Sequence, residues 1–176
     1  MEQAKNYQIK TFKESCKTEE EACKFVIPYF VNLYWEWFED VRGVEDYWKE
    51  DIDFFINWTS VEMKASGKIL RDFLFELKRE EQGVTKQGNL LTSQAEYWLI
   101  VNNEKKLGWL FKLRELKTTV LKIIKQKDLE KKIWHLYRNQ DNWNERYSRT
   151  VWIDMNYLIQ NIEYCKRIDF ENTFNS

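Results

Sequence analysis

Two short apolar runs, Ile52–Trp58 (IDFFINW) and Val61–Ala65 (VEMKA), are rich in strand-forming residues and have only Thr59-Ser60 between them. That spacing reads as a tight hairpin. Strand side chains alternate between faces, so Glu62 and Lys64 project together while Val61, Met63 and Ala65 turn into a core. Asp53 lies on the preceding strand, nine residues before Glu62, and the hairpin returns its carboxylate to the neighbourhood of Glu62. A fold for this chain must therefore bury one face of the hairpin and accommodate two acids and a lysine on the other.

The surroundings supply that cover. Thr18 and Glu21 have capping-box spacing, and Ala22, Phe25, Val26, Tyr29, Phe30, Leu33 and Trp37 follow at helical intervals. The pattern predicts an amphipathic helix from Thr18 to Asp40, kinked at Pro28, after a loose tail over residues 1–17. Gly43 ends it, and Val44–Glu50 reads as a short second helix. A third strand is expected at Arg71–Leu77, then a polar, mobile loop from Lys78 to Asn89. Thr92 is placed to cap a short helix holding Ser93, Gln94 and Glu96. Tyr97–Val101 and Gly108–Leu113 read as strands, Arg114 to about Leu136 as a helix, Asn139–Arg149 as a loop, Thr150–Met155 as a strand and Asn156–Tyr164 as a closing helix. The expected fold is a mixed α/β domain over residues 18–176, of α+β type with a mixed sheet.

Composition narrows the chemistry. The chain has 176 residues, 28 basic and 29 acidic, so no basic excess advertises a nucleic-acid binder, although a local patch would suffice. One histidine, His135, excludes a histidine-rich zinc site. Cys16, Cys23 and Cys165 lack metal-binding spacing and read as free thiols of an intracellular protein. The N-terminal stretch has no apolar core of the signal-peptide kind, and no apolar run approaches the roughly 20 residues of a membrane span. A cytoplasmic protein is the expectation.

Two carboxylates held together repel each other, and a hard, oxygen-seeking cation such as Mg²⁺ or Mn²⁺ relieves that repulsion. In this arrangement Asp53 and Glu62 hold the metal, with a backbone carbonyl near Met63 completing the coordination. Lys64 beside it stabilises a phosphoryl transition state, and a lowered pKa would let it help deprotonate water. The segment resembles the PD-(D/E)XK nuclease superfamily, whose pattern is an acid on one strand and E-x-K on the next, here Asp53 and Glu62-Met63-Lys64. That superfamily has a leading helix, a three-stranded meander, a helix and further strands, and the resemblance covers roughly residues 20–113. It implies a restriction-endonuclease-like core. Ile52 stands where the pattern has proline.

The resemblance extends to Ser93-Gln94-Ala95-Glu96-Tyr97, which looks like the glutamine-and-tyrosine motif of exonuclease branches and suggests Gln94, with Tyr97 after it, near the metal site or the DNA backbone. Asp51 shares a face with Asp53 and is an accessory ligand or a polar strand start. Glu76, ending FLFEL, is an accessory acid or a strand-end charge. Glu36 and Glu39 project from the first helix, where some relatives carry a leading-helix acid, or are solvated charges. Lys112, Arg114 and Lys117, with Lys122, Lys125, Lys127, Lys131 and Lys132 beyond them, make a basic stretch for phosphates or an ordinary solvated face. Trp35, Trp37, Trp48, Trp58, Trp98 and Trp109 are expected mostly in the core, with one or two free to stack on bases.

The resulting expectation is a metal-dependent nuclease acting on DNA, structure-selective or nonspecific because no helix-turn-helix or zinc finger is present. Its size suits an accessory protein of a phage or mobile element. RNA as substrate, a homodimer, a catalytically idle module that binds DNA or a protein, and an inhibitor working through its aromatic surface all stay open.

Overall fold

The computed structural model describes residues 12–66, 72–81, 84–127 and 146–171. Helix α1 (Phe12–Tyr34) buries Ala22, Cys23, Val26 and Phe30, with Pro28 inside it. It starts ahead of Thr18, which lies within the helix and is buried, so residues 12–17 belong to the helix and not to the expected tail. It also stops earlier than the periodicity predicts. Trp35–Trp37 form a 3-10 turn and Phe38–Asp40 a strand, β1, because this aromatic run pairs with the next strand instead of continuing the helix.

After α2 (Glu45–Lys49) come β2 (Phe54–Ile56) and β3 (Thr59–Ser66). The hairpin exists, but its turn is Asn57-Trp58, not Thr59-Ser60, which are drawn into the ladder opposite Ile56 and Phe55. Asn57 and Trp58 have φ of 50° and 65°, the double left-handed geometry of a type I′ turn. Asparagine suits it; a bulky residue in the second position costs roughly 1–2 kcal/mol relative to glycine.

The three-stranded antiparallel meander is β1–β2–β3. The strand expected to follow, β4 (Asp72–Glu81), leaves this sheet and pairs with β5 (Val84–Gln87) and β8 (Arg146–Asp154) in a second, three-stranded sheet. β4 and β5 thus occupy most of the stretch expected as a mobile loop. Short helix α3 (Asn89–Thr92) precedes Ser93, so Thr92 ends a helix and does not cap one.

Strand β6 (Tyr97–Asn102) then pairs parallel with β3, placing Trp98 beside Glu62 and Ile100 beside Lys64. β7 (Leu107–Lys112) runs antiparallel to β6, and β9 (Cys165–Asp169), not foreseen from sequence, closes the far edge. Helices α4 (Leu113–Lys127) and α5 (Met155–Gln160) complete the described chain, α5 being shorter than expected. The expected continuation of α4 toward Leu136, His135, and the loop from Asn139 to residue 145 lie outside the described residues. The architecture is mixed α/β: a six-stranded mixed sheet ordered β1-β2-β3-β6-β7-β9 and a smaller antiparallel sheet ordered β5-β4-β8.

Alternation splits the interior into two cores. Val61, Met63, Leu99, Val101 and Ile168 face α1, while Trp98, Ile100 and Phe111 face α4, α5 and the small sheet through Leu116, Val120, Leu158, Phe75 and Val151. The large sheet is therefore apolar on both faces, as a sheet with a parallel pair at its centre requires. Of the six tryptophans expected mainly in the core, Trp98 is buried and Trp109 half-buried, whereas Trp35, Trp37, Trp48 and Trp58 are exposed.

Gly88 joins the two halves, its amide donating to the Leu77 carbonyl at 2.9 Å. A Cβ there would collide with the Glu76 carbonyl and lie 2.8 Å from the Leu77 carbonyl carbon, whereas at Gly43 it would meet nothing. Gly88→Ala is expected to destabilise by about 3 kcal/mol and Gly43→Ala by no more than about 0.5 kcal/mol, measured by urea unfolding.

Candidate active site

In the β2–β3 ladder Phe54 lies opposite Val61, so Asp53, one residue earlier, falls opposite Glu62. The Asp53 amide donates to the Val61 carbonyl at 2.9 Å, and its carboxylate accepts from the Met63 amide at 2.6 Å. These two bonds fix the carboxylate against β3. Lys64 Nζ lies 2.5 Å from Glu62 Oε1 and 5.9 Å from the centre of the Trp98 ring. The hairpin thus brings Asp53, Glu62 and Lys64 together as the spacing predicts.

Their electrostatics are those of a buried site. Glu62 is 1% exposed. Burial raises its carboxyl from the ordinary 4.5 to about 7, against the opposing pull of Lys64 and of the Ser93 hydroxyl. The Lys64 contact is close, but neither Glu62 oxygen receives a hydrogen bond of directed geometry, so the interaction is chiefly a charge pair. Burial also raises Asp53, opposed by Lys64 and the Met63 amide. Lys64 is raised despite its own burial, because Glu62, Glu19 and Asp53 surround it. This reverses the expectation of a lowered lysine pKa: the ammonium is held as a fixed positive charge.

Three residues join the site that sequence reasoning did not select. Glu19 on α1 has a carboxyl raised by burial and interacts with Lys64, Asp53 and Arg42. Its signal was present, since Glu19 lies three and four residues before the buried Ala22 and Cys23 and so shares their stripe. Arg42, clamped by Asp40 at 2.5 Å and donating to Cys23 Sγ at 2.6 Å, lowers both Asp53 and Glu19. Ser93 is buried, accepting from Trp98 Nε1 at 3.3 Å and from the Ala95 amide at 3.4 Å, and its hydroxyl lowers the Glu62 carboxyl. Cys23 and Cys165 are pushed up to about 11 by burial, and all three cysteines are free thiols.

The accessory candidates divide. Asp51, in a left-handed turn with φ 55°, lies close enough to raise both Asp53 and Glu62. Lys117 turns inward from α4, donating to the Ser93 carbonyl at 2.8 Å and the Leu91 carbonyl at 3.4 Å. It feels Glu62 and Asp51, and burial lowers its pKa. It is a support behind the site, not the outward phosphate contact expected. Arg114, Lys122 and Lys125 are exposed along α4, and Lys112 is exposed with Glu115 at 3.9 Å.

Glu36 and Glu39 are exposed on the 3-10 turn and on β1, and neither perturbs the site residues; Glu19 holds the helix position expected of them. Glu76 lies on β4 of the second sheet, opposite Thr150. Gln94 extends its side chain into solvent while its amide donates to the Glu50 carbonyl at 3.0 Å. Tyr97 packs with the α1 core, edge-on to Tyr164, so the glutamine-and-tyrosine motif does not converge on Glu62.

Among the described residues no group of three or more His, Cys, Asp or Glu side chains is arranged to hold a metal ion. The donors expected are two carboxylates and a carbonyl, and the buried Glu62 oxygens without directed donors suit a hard divalent cation. No described helix is long and apolar enough to cross a membrane. No protein-family model matches the chain, and neither a curated protein nor a solved structure does so.

The raised Glu62 pKa has a testable sign. Between pH 4.5 and about 7 the folded chain retains a proton that the unfolded chain releases. The stability from this carboxyl is therefore complete below 4.5 and lost as pH rises through about 7. The slope is at most about 1.4 kcal/mol per pH unit. Glu62→Gln is expected to flatten it in urea unfolding across that range. Carboxyl-carbon NMR should place the Glu62 midpoint near 7 and move it upward in Lys64→Met.

Proposed function

We propose that this chain is a metal-dependent nuclease of the PD-(D/E)XK kind, hydrolysing phosphodiester bonds in DNA in the cytoplasm. The observation that carries the reading is one hairpin delivering Asp53 and the Glu62–Lys64 pair to a single buried locus. An antiparallel meander followed by a strand parallel to β3, with α1 packed beneath, suits the same reading.

Asp53, Glu62 and the Met63 carbonyl would hold Mg²⁺ or Mn²⁺, which supplies Lewis acidity toward phosphate and water when bound. Lys64 remains protonated at neutral pH and presents its charge to a non-bridging phosphate oxygen as negative charge builds there. It serves as an electrostatic stabiliser and not as a base. The Glu62 carboxyl, raised by burial in the metal-free chain, would be ionised on taking up the cation, so binding would release its proton and weaken as pH falls. The Met63 amide fixes Asp53, while Ser93, held at its carbonyl by Lys117, backs Glu62. The exposed basic residues of α4, Arg114, Lys122 and Lys125, offer phosphate contacts.

A second reading is a nuclease-like module without catalysis, binding DNA or a protein. The Lys64 ammonium already neutralises Glu62, which suits a site that holds charge without catalysis.

Incubation with linear, circular, single-stranded and branched DNA in Mg²⁺ or Mn²⁺ separates the two. Cleavage is expected, with Asp53→Ala, Glu62→Ala and Lys64→Ala each losing about 10²-fold or more while keeping a cooperative melt. Cleavage undiminished in all three would end the nuclease reading. DNA binding without cleavage in the unsubstituted chain would establish the idle one.

A further inference from the structure

Lys64 stands against the carboxylate that a divalent cation would need. Its ammonium lies 2.5 Å from Glu62 Oε1, and both Glu62 oxygens are sealed from water with no directed hydrogen bond. Two positive charges so close to one oxygen repel each other, so Glu62 can serve a cation only once Lys64 has drawn back. Lys64 is the partner able to move, being 25% exposed where Glu62 is 1% exposed. Its flexible four-carbon stem lets the ammonium change acids without displacing β3. A half-enclosed ammonium without a counter-charge is costly, so the retreat requires a second acid.

Glu19 is the acid placed to receive it. Just before it on α1, the Thr18 carbonyl accepts from Asn103 Nδ2 at 2.7 Å, and the Asn103 amide donates to the carbonyl of Ser66, two residues beyond Lys64, at 2.9 Å. One turn after it, Cys23 Sγ accepts from Arg42 Nη1 at 2.6 Å, and the adjacent Val41 amide donates to the Asp53 carbonyl at 3.0 Å. Glu19 lies between these two ties, one to the end of β3 and one to Asp53. It acts on the Lys64 ammonium more strongly than Asp53 does, second only to Glu62, and Lys64 is the strongest charge acting on Glu19. The neighbouring groups are engaged elsewhere. Arg42 donates to Asp40 and Cys23, Lys117 to the Leu91 and Ser93 carbonyls, and Asp53 accepts from the Met63 amide. Glu19 has no ion pair among the described residues.

We propose that Glu19 is a positioning residue, the acid that takes over the Lys64 ammonium when Glu62 turns to a divalent cation. Lys64 then stays beside the cation without competing for Glu62, and its charge is free to face a phosphate. This role rests on the metal-dependent reading and adds to it the group that releases Glu62.

Calorimetric titration of the full chain with Mg²⁺, at a pH above the Glu62 midpoint in every variant, tests this without nucleic acid. Glu19→Gln is expected to weaken Mg²⁺ binding about tenfold. Lys64→Met is expected to bind more tightly than the unsubstituted chain, and to lose less than about twofold when Glu19→Gln is added. Lysine ammonium NMR spectra of the unsubstituted chain should show the Lys64 signal moving in step with Mg²⁺ saturation. Equal weakening by Glu19→Gln with and without Lys64 would make Glu19 a ligand in its own right and overturn the proposal. A stationary Lys64 signal at saturation would overturn it too, and either result leaves the nuclease reading standing. Absence of Mg²⁺ binding from both the unsubstituted chain and Lys64→Met would overturn the two together.

Discussion

A carboxylate with almost no access to water, paired with one lysine, is the constraint around which this structure is organised. Glu62 sits on β3 beside Trp98, enclosed by the core that α4 and the small sheet share. Taking such a group out of water is expensive, and a single ammonium offsets only part of that expense. Its environment is accordingly polar on one side: Ser93 beside it, Lys117 behind, and Asp53 fixed across the ladder. An apolar residue of similar size at position 62 would fill the same space with no such supports. The arrangement is understandable as a site and hard to understand as packing.

The sequence made the centre of this arrangement readable and its periphery obscure. Period-two alternation over Val61–Ala65 determines which side chains share a face, so Glu62 and Lys64 could be paired from spacing alone. The turn was misplaced by two residues because Asn57-Trp58 lacks the glycine that marks a type I′ turn. Departure of β4 to a second sheet was not legible, since local pattern identifies a strand but not its partner, and β8 lies far along the chain. The same limit hid Ser93 and Arg42, which reach the site only through tertiary packing. Glu19 is different: its phase on the α1 stripe was available, but a carboxylate on an apolar stripe reads as an exception until its partner Lys64 is known. The tryptophans misled because size was taken for burial, whereas four of the six are on the surface.

Charge is distributed unevenly along the hairpin. The acids at the hairpin base are enclosed and balanced by Lys64, Lys117 and Arg42. The acids Glu36 and Glu39 are open to solvent. A near-zero net charge therefore conceals local imbalance, and a basic helix face and a buried acidic site coexist within it. Whole-chain charge is a poor guide to partners in a protein of this construction.

The parallel pairing of β3 with β6 has a kinetic consequence. Their connection passes through the small sheet, whose central strand finds its second neighbour only when Asp72 reaches Asp154. Closing loops of that length takes entropy before any contact repays it, so the central ladder and the small sheet form late and together. The β2–β3 hairpin is local and assembles early. Asp53, Glu62 and Lys64 thus meet while still bathed in water, and the elevated carboxyl pKa arises only when α4 and the small sheet arrive to exclude it.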